Sequence, residues 1–219
     1  MLRNLLTGIG AVFVLLSCNS VSPSVFESPR SQDGTKDDAI GTLRLYSFNG
    51  DSERVPLSIN LGHSFISIEN ESSSDLQVGA YDLEPGYTVS IGIWPFSAHF
   101  GLWYNVESNY MAEFSRFEGV VSIKTQIDST DLNEIDEYIA SHDYWTLFKN
   151  CSFMALDMYN LAAKENDQID IGGLITPAKI YDVIKDTVGY DTDFEIAQYG
   201  PMGYANDSDP TKGMVEYHA

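Results

Sequence analysis

Few side chains here have an ordinary pKa close enough to neutrality to serve readily as a thiol nucleophile and its imidazole base: two cysteines, Cys18 and Cys151, and four histidines, His63, His99, His142 and His218. Cys151 follows Asn150 and opens a stretch with Ala155, Met158 and Ala162 at helical spacing, set among Phe153, Leu156, Tyr159 and Leu161. That pattern predicts a buried helix over about residues 150–164. A thiol at a helix start meets backbone N–H groups without intrahelical acceptors and the positive end of the dipole, and both favour the nucleophilic thiolate. Such a nucleophile also needs a base within hydrogen-bond reach. His218 lies in the last residues and His142 at the polar end of a helix. His63 opens a strand directly after Gly62, in GHSFISI, where an imidazole can be aimed across the end of a sheet. His99 belongs to an aromatic segment, Ser97 to Glu107, which suits a substrate groove or plain packing. The bland role for Cys151 is that of a small buried apolar side chain.

The elements that must hold these residues follow from hydropathy. Residues 42–48, 63–70, 77–83, 87–94 and 117–127 are short, aromatic or β-branched and bounded by turn residues, so they are predicted as strands, with Glu71 to Asp75 as a hairpin loop. Near Asp128 the period becomes helical, with Leu132, Ile135, Tyr138 and Ile139 on one stripe and Asp128 or Ser129 as cap. Thr176-Pro177 is a cap followed by a first-turn proline, with Ile180, Val183, Ile184 and Val188 behind it and Gly189 as the stop. Strands first and helices after them make an α+β fold. Residues 191–219 are acidic and rich in Gly and Tyr without a clear period, and read as a tail.

Two short motifs carry a resemblance. GHSFISIEN, from Gly62 to Asn70, and NCSFMALDMYN, from Asn150 to Asn160, together resemble the papain-like peptidase and amidase superfamily that includes NlpC, in its circularly permuted form, where the histidine strand precedes the cysteine helix. The resemblance implies a permuted papain-like fold over residues 41–190, an antiparallel β meander or barrel packed against the cysteine helix. It implies Cys151 as nucleophile, His63 as general base and the Cys151 N–H as one oxyanion donor, with no cofactor. The superfamily also has a third polar residue that orients the histidine from a neighbouring strand. A hairpin folded about Glu71 to Asp75 would bring residues 81–83 opposite His63, so Tyr81 and Asp82 are both candidates and the choice stays open.

The N-terminus concerns the compartment. Arg3, an apolar run from Leu5 to Leu16, then Ser17 and Cys18 have the build of an export signal over residues 1–17, too short for the roughly twenty residues of a spanning helix. Leu15-Leu16-Ser17-Cys18 resembles the lipobox of bacterial lipoproteins, which implies cleavage before Cys18, lipidation of that thiol and a flexible lipidated tether over residues 18–40. An ordinary secretory signal and an uncleaved anchor are the alternatives. With Cys18 lipidated, Cys151 is the one free thiol of an exported protein.

Composition narrows the partners. Against 12 Lys and Arg stand 32 Asp and Glu, a net charge of −20 that repels nucleic-acid backbones and argues against electrostatic docking on anionic lipid. No His/Cys cluster has zinc spacing and no glycine-rich loop has phosphate-binding form. The expectation is a lipid-anchored, extracytoplasmic cysteine hydrolase acting on peptide amides of the cell envelope, whose partners are a peptide or acyl substrate and the membrane that holds its anchor. Its rivals are a surface lipoprotein that binds without turnover, and an acyl-lipid hydrolase or acyltransferase using the same Cys151–His63 pair. An enzyme must keep Cys151 accessible and within reach of His63; a binding module need not.

Overall fold

A computed structural model of the protein describes residues 36–50, 62–206 and 213–218. The expected export signal, Cys18 and most of the expected tether lie outside the described residues. In chain order the elements are β1 (Gly41–Phe48), β2 (His63–Asn70), β3 (Leu76–Val78), β4 (Tyr81–Leu83), β5 (Thr88–Phe96), β6 (His99–Tyr104), α1 (Val106–Phe114), β7 (Val121–Ile127), α2 (Ser129–His142), α3 (Cys151–Ala162), α4 (Pro177–Lys185), β8 (Asp191–Thr192), β9 (Gly203–Ala205) and β10 (Met214–Glu216).

An eight-stranded sheet runs in the order β10-β9-β6-β5-β2-β1-β7-β8, and all its pairings are antiparallel. Because successive side chains point to opposite faces, each central strand serves two cores. Leu43, Leu45, Ile66, Ile68 and Ile91 meet Ile135, Met154, Met158 and Ile180 of α2, α3 and α4. Tyr46, Phe65, Trp94 and Trp103 meet Val106 of α1, Phe117 and Ile196 on the other side. With both faces covered, β1 and β2 are buried almost throughout, which hides the alternation expected of a half-exposed strand. The architecture is α+β, as the order of the periods implied.

The caps are local and legible. The Asp128 carboxylate accepts from the Thr130 and Asp131 amides, and Asp131 returns a bond to the Asp128 N–H, a reciprocal capping box at the start of α2. Thr176 caps α4, with Pro177 in its first turn.

Three expectations change. The run over residues 77–83 is not one strand but β3 and β4, which turn at Gly79 and Ala80 and pair only with each other. The turn is pinned from outside, since Asp136 accepts from the Gly79 N–H at 2.7 Å and the Tyr104 hydroxyl from the Ala80 N–H at 3.0 Å. The neighbours of β2 are therefore β1 and β5, and residues 81–83 do not face His63. The segment Ser97 to Glu107 is also no single groove wall, since it supplies β6 and enters α1. The 191–219 stretch contributes β8 at one sheet edge and β9 with β10 at the other. Between those edges residues 193–202 cross the aromatic face, burying Ile196 and accepting the Thr88 N–H on the Gln198 carbonyl. Six strand spacings separate β8 from β9, about 29 Å, so the crossing takes nearly extended chain.

Candidate active site

The site forms where the start of β2 meets the start of α3. Asn150 is the N-cap of α3; its side-chain oxygen accepts from the Ser152 and Phe153 amides, both at 3.0 Å. The cap takes those two amides and not that of Cys151, the first helical residue, whose N–H belongs to the set without intrahelical acceptors. Behind the helix start, hydroxyls tie four elements together. Ser64 of β2 meets Ser152 of α3 at 3.2 Å and Ser47 of β1 at 3.0 Å, and Ser47 donates to the Pro177 carbonyl of α4 at 2.8 Å. Ser64 follows His63 and Ser152 follows Cys151, so these bonds tie the start of the strand to the start of the helix.

His63 is only 5% exposed. Gly62, at φ +81, precedes it with no room for a side chain, since a Cβ there would stand 2.4 Å from the Phe48 carbonyl oxygen and 2.8 Å from Pro177 Cβ. The ring is walled by Trp94, with centroids 4.3 Å apart, and by Phe65 and Phe117. One ring nitrogen, Nε2, lies 2.9 Å from Glu107 Oε1. The ring is also coupled to the Cys151 thiol, by charge and by a hydrogen bond. Cys151 itself is half-buried.

Burial opposes charge on both partners, yet the His63 pKa is raised and that of Cys151 lowered. For His63 the causes that overcome burial are the charge and hydrogen bond of Cys151, then the bond and charge of Glu107. For Cys151 they are the charge and hydrogen bond of His63, then the Ser64 backbone N–H and the Ser152 hydroxyl. Both shifts favour a thiolate–imidazolium pair.

Glu107 is the residue that sequence reasoning missed. It is fully buried, at 0% exposure. Besides His63, its Oε1 accepts from Trp94 Nε1 at 2.6 Å, and its Oε2 from the Ser90 hydroxyl at 3.1 Å. Ser90, Gly92 and Trp94 alternate on one face of β5: the outer two donate and the middle one leaves the space. A Cβ on Gly92 would stand 1.7 Å from Glu107 Oε1 and 3.1 Å from His63 Nε2. At the other end Asn105, in the left-handed region at φ 60, turns the chain from β6 into α1 and accepts the Ser90 N–H, which aims Glu107 inward. The readable signal was that Ser-x-Gly-x-Trp face, a cradle with a gap. Tyr81 and Asp82, the earlier candidates, sit on β4 outside this cluster; Asp82 pairs in register with Gln77.

The remaining histidines play other parts. His99 pairs with Asp143 at 2.8 Å and stacks on Tyr204 with planes 2° apart, which joins β6, the end of α2 and β9. His142 stacks on Tyr138 within the α2 end, and His218 is exposed beside Glu216. Among the described residues no three His, Cys, Asp or Glu side chains gather as a metal site. The arrangement at Cys151 has the parts of acyl transfer: a thiol with a lowered pKa, an imidazole held by a carboxylate, and an N–H at a helix start. Comparison with known protein families, with curated proteins and with solved structures yields no match for this chain.

Proposed function

We propose that the protein is a cysteine hydrolase of the permuted papain-like type, anchored in the cell envelope and acting on peptide-type amide bonds. One observation carries the reading: His63 bridges a half-buried thiol and a fully buried carboxylate drawn from three separate parts of the chain. A buried glutamate with three side-chain donors is costly to build unless its position matters. In this reading the Cys151 thiolate adds to the substrate carbonyl, and the Cys151 N–H supports the oxyanion. His63 gives its proton to the leaving nitrogen, the C–N bond breaks and a thioester forms. Water then attacks as His63 takes its proton, and the acid and thiol are released. Glu107 touches no reacting atom; it orients the imidazole and keeps it basic.

The test traps the thioester. The full-length chain is mixed with a p-nitrophenyl ester and its intact mass followed, then incubated with muropeptides. A burst with one acyl group on Cys151, labile to hydroxylamine and absent in Cys151→Ala, is expected, together with cysteine-dependent cleavage of muropeptides. No acylation at Cys151 sinks the enzyme reading in favour of a binding module; acylation with muropeptides untouched sinks the peptide substrate alone.

A further inference from the structure

Two segments frame the start of α3, and both are tied to Asn150. Its side-chain nitrogen donates to the Leu147 carbonyl at 3.5 Å and to the Ile175 carbonyl at 3.3 Å. The first segment is a closed turn: Thr146 N–H donates to the Lys149 carbonyl at 3.1 Å, and Lys149 N–H to the Thr146 hydroxyl at 2.9 Å. Its tip is Leu147-Phe148, 68% and 75% exposed. The second segment presents Leu174, 54% exposed, just after Gly172 and Gly173. Two hydrogen bonds close the first turn and a third holds it to Asn150, so its apolar tip is displayed by built structure. A ring pair of Phe100 and Trp145, centroids 5.4 Å apart, braces its base.

Charge thins along the same segments. Residues 144–156 and 171–181, bounded by Asp143, Asp157, Asp170 and Asp182, contain no Asp or Glu themselves and two lysines, Lys149 and Lys179, in a chain of net charge −20. Lys149 lies over the Tyr144 ring and bonds its hydroxyl, while Lys179 donates to the Gly172 carbonyl. Apolar tips flanked by Tyr, Trp and Lys suit a bilayer interface, where carbon sinks and amphipathic ends stay among headgroups. Three side chains fall far short of the roughly 800 Å² per partner of a stable protein interface, but each adds directly to partitioning into lipid.

We propose that Leu147, Phe148 and Leu174 form a membrane-docking rim that sets the start of α3, where Cys151 lies, against the surface of a lipid bilayer. The rest of the acidic surface then faces away, and the formal repulsion of the whole chain is weakened by distance and salt. Docking requires no turnover, so it stands or falls apart from the proposed chemistry.

The experiment uses unlipidated full-length chain (Cys18→Ser) and vesicles of phosphatidylethanolamine and phosphatidylglycerol. Trp145 reports the rim, because Trp94 and Trp103 are buried. Brominated acyl chains should quench Trp145, and Leu147→Ser/Phe148→Ser should lower partitioning by roughly tenfold or more, given the worth of each buried apolar side chain. Its melting temperature should stay native, since both residues are exposed, and Cys151→Ala should bind as the parent does. Vesicle binding without Trp145 quenching, equal binding by the double variant, or no binding at all overturns the proposal. Self-association abolished by the same double substitution would overturn it too, reassigning the rim to a second copy.

Discussion

Replacing Glu107 with glutamine separates charge from shape at the centre of the site. The glutamine oxygen, placed where Oε1 stands, still accepts from His63 at 2.9 Å and Trp94 at 2.6 Å, and its NH2 can donate to the Ser90 hydroxyl. Packing and bond count are kept; only the negative charge goes. A hydrogen bond to a charged group is worth about 1.5–3 kcal/mol against about 0.5–1.5 for a neutral one; with the donor still charged the imidazolium loses only part of that difference, which lowers its pKa by less than about one unit. The Cys151 thiolate is held chiefly by that imidazolium, so its midpoint should rise by up to about one unit. The assay is the iodoacetamide rate of the folded chain against pH, with ester acylation and a thermal melt alongside. The pH profile of acylation should move with the alkylation midpoint, with the melting temperature within a few degrees of native. Glu107→Ala is the wrong variant: it strands three buried donors at about 1–3 kcal/mol each, comparable to a whole domain's stability. An unchanged alkylation midpoint and acylation rate in a native-melting Glu107→Gln would refute the reasoning; a large drop in melting temperature would refute the claim that glutamine fits.

Gly92→Ala drives a methyl group into Glu107 Oε1; it should cost about 1–3 kcal/mol by denaturant titration and slow alkylation like the charge-removing variant. Asn150→Ala removes the α3 cap and should lose about 0.5–2 kcal/mol, whereas Asn150→Asp keeps the cap but sets an anion beside the thiolate, raising the alkylation midpoint. The Cys151–His63 pair should confer stability only in a window, lost as pH falls through the lowered Cys151 pKa and as it rises through the raised His63 pKa; melts of the wild type and Cys151→Ala against pH should converge at both ends. Feeding cells a fatty-acid analogue should label the wild type and spare Cys18→Ala.

Where sequence spoke clearly, a local signal coincided with a tertiary role. The β2 bounds followed from Gly62 before and the turn residues after, and α3 began at the residue after Asn150 because an Asn cap and an apolar girdle agree. Glu107 stayed hidden because its meaning comes from β5, a strand that pairs with β2 across an intervening hairpin, and from a left-handed Asn105 that no periodicity marks. Strand β6 was masked by its own burial on both faces, so His99 to Tyr104 reads as an aromatic run without alternation. The 191–219 stretch lacked period because strands of two or three residues are too short to show one.

The crossing of residues 193–202 bears on the order in which the chain can be finished. Without residues beyond 190, the sheet would end in β6 on one side and β7 on the other, two rows of backbone donors and acceptors open to any passing strand. One late segment pairs with part of each row, at Val121 and Ser122 of β7 and at Trp103 and Tyr104 of β6, and it must traverse the aromatic face before β9 can pair with β6. A chain interrupted or clipped near residue 190 would carry His63, Glu107 and Cys151 and still present two adhesive borders. Its expected fate is association with its own kind, so β8 and β9 act as a hem at those points of the sheet against extension by a neighbour.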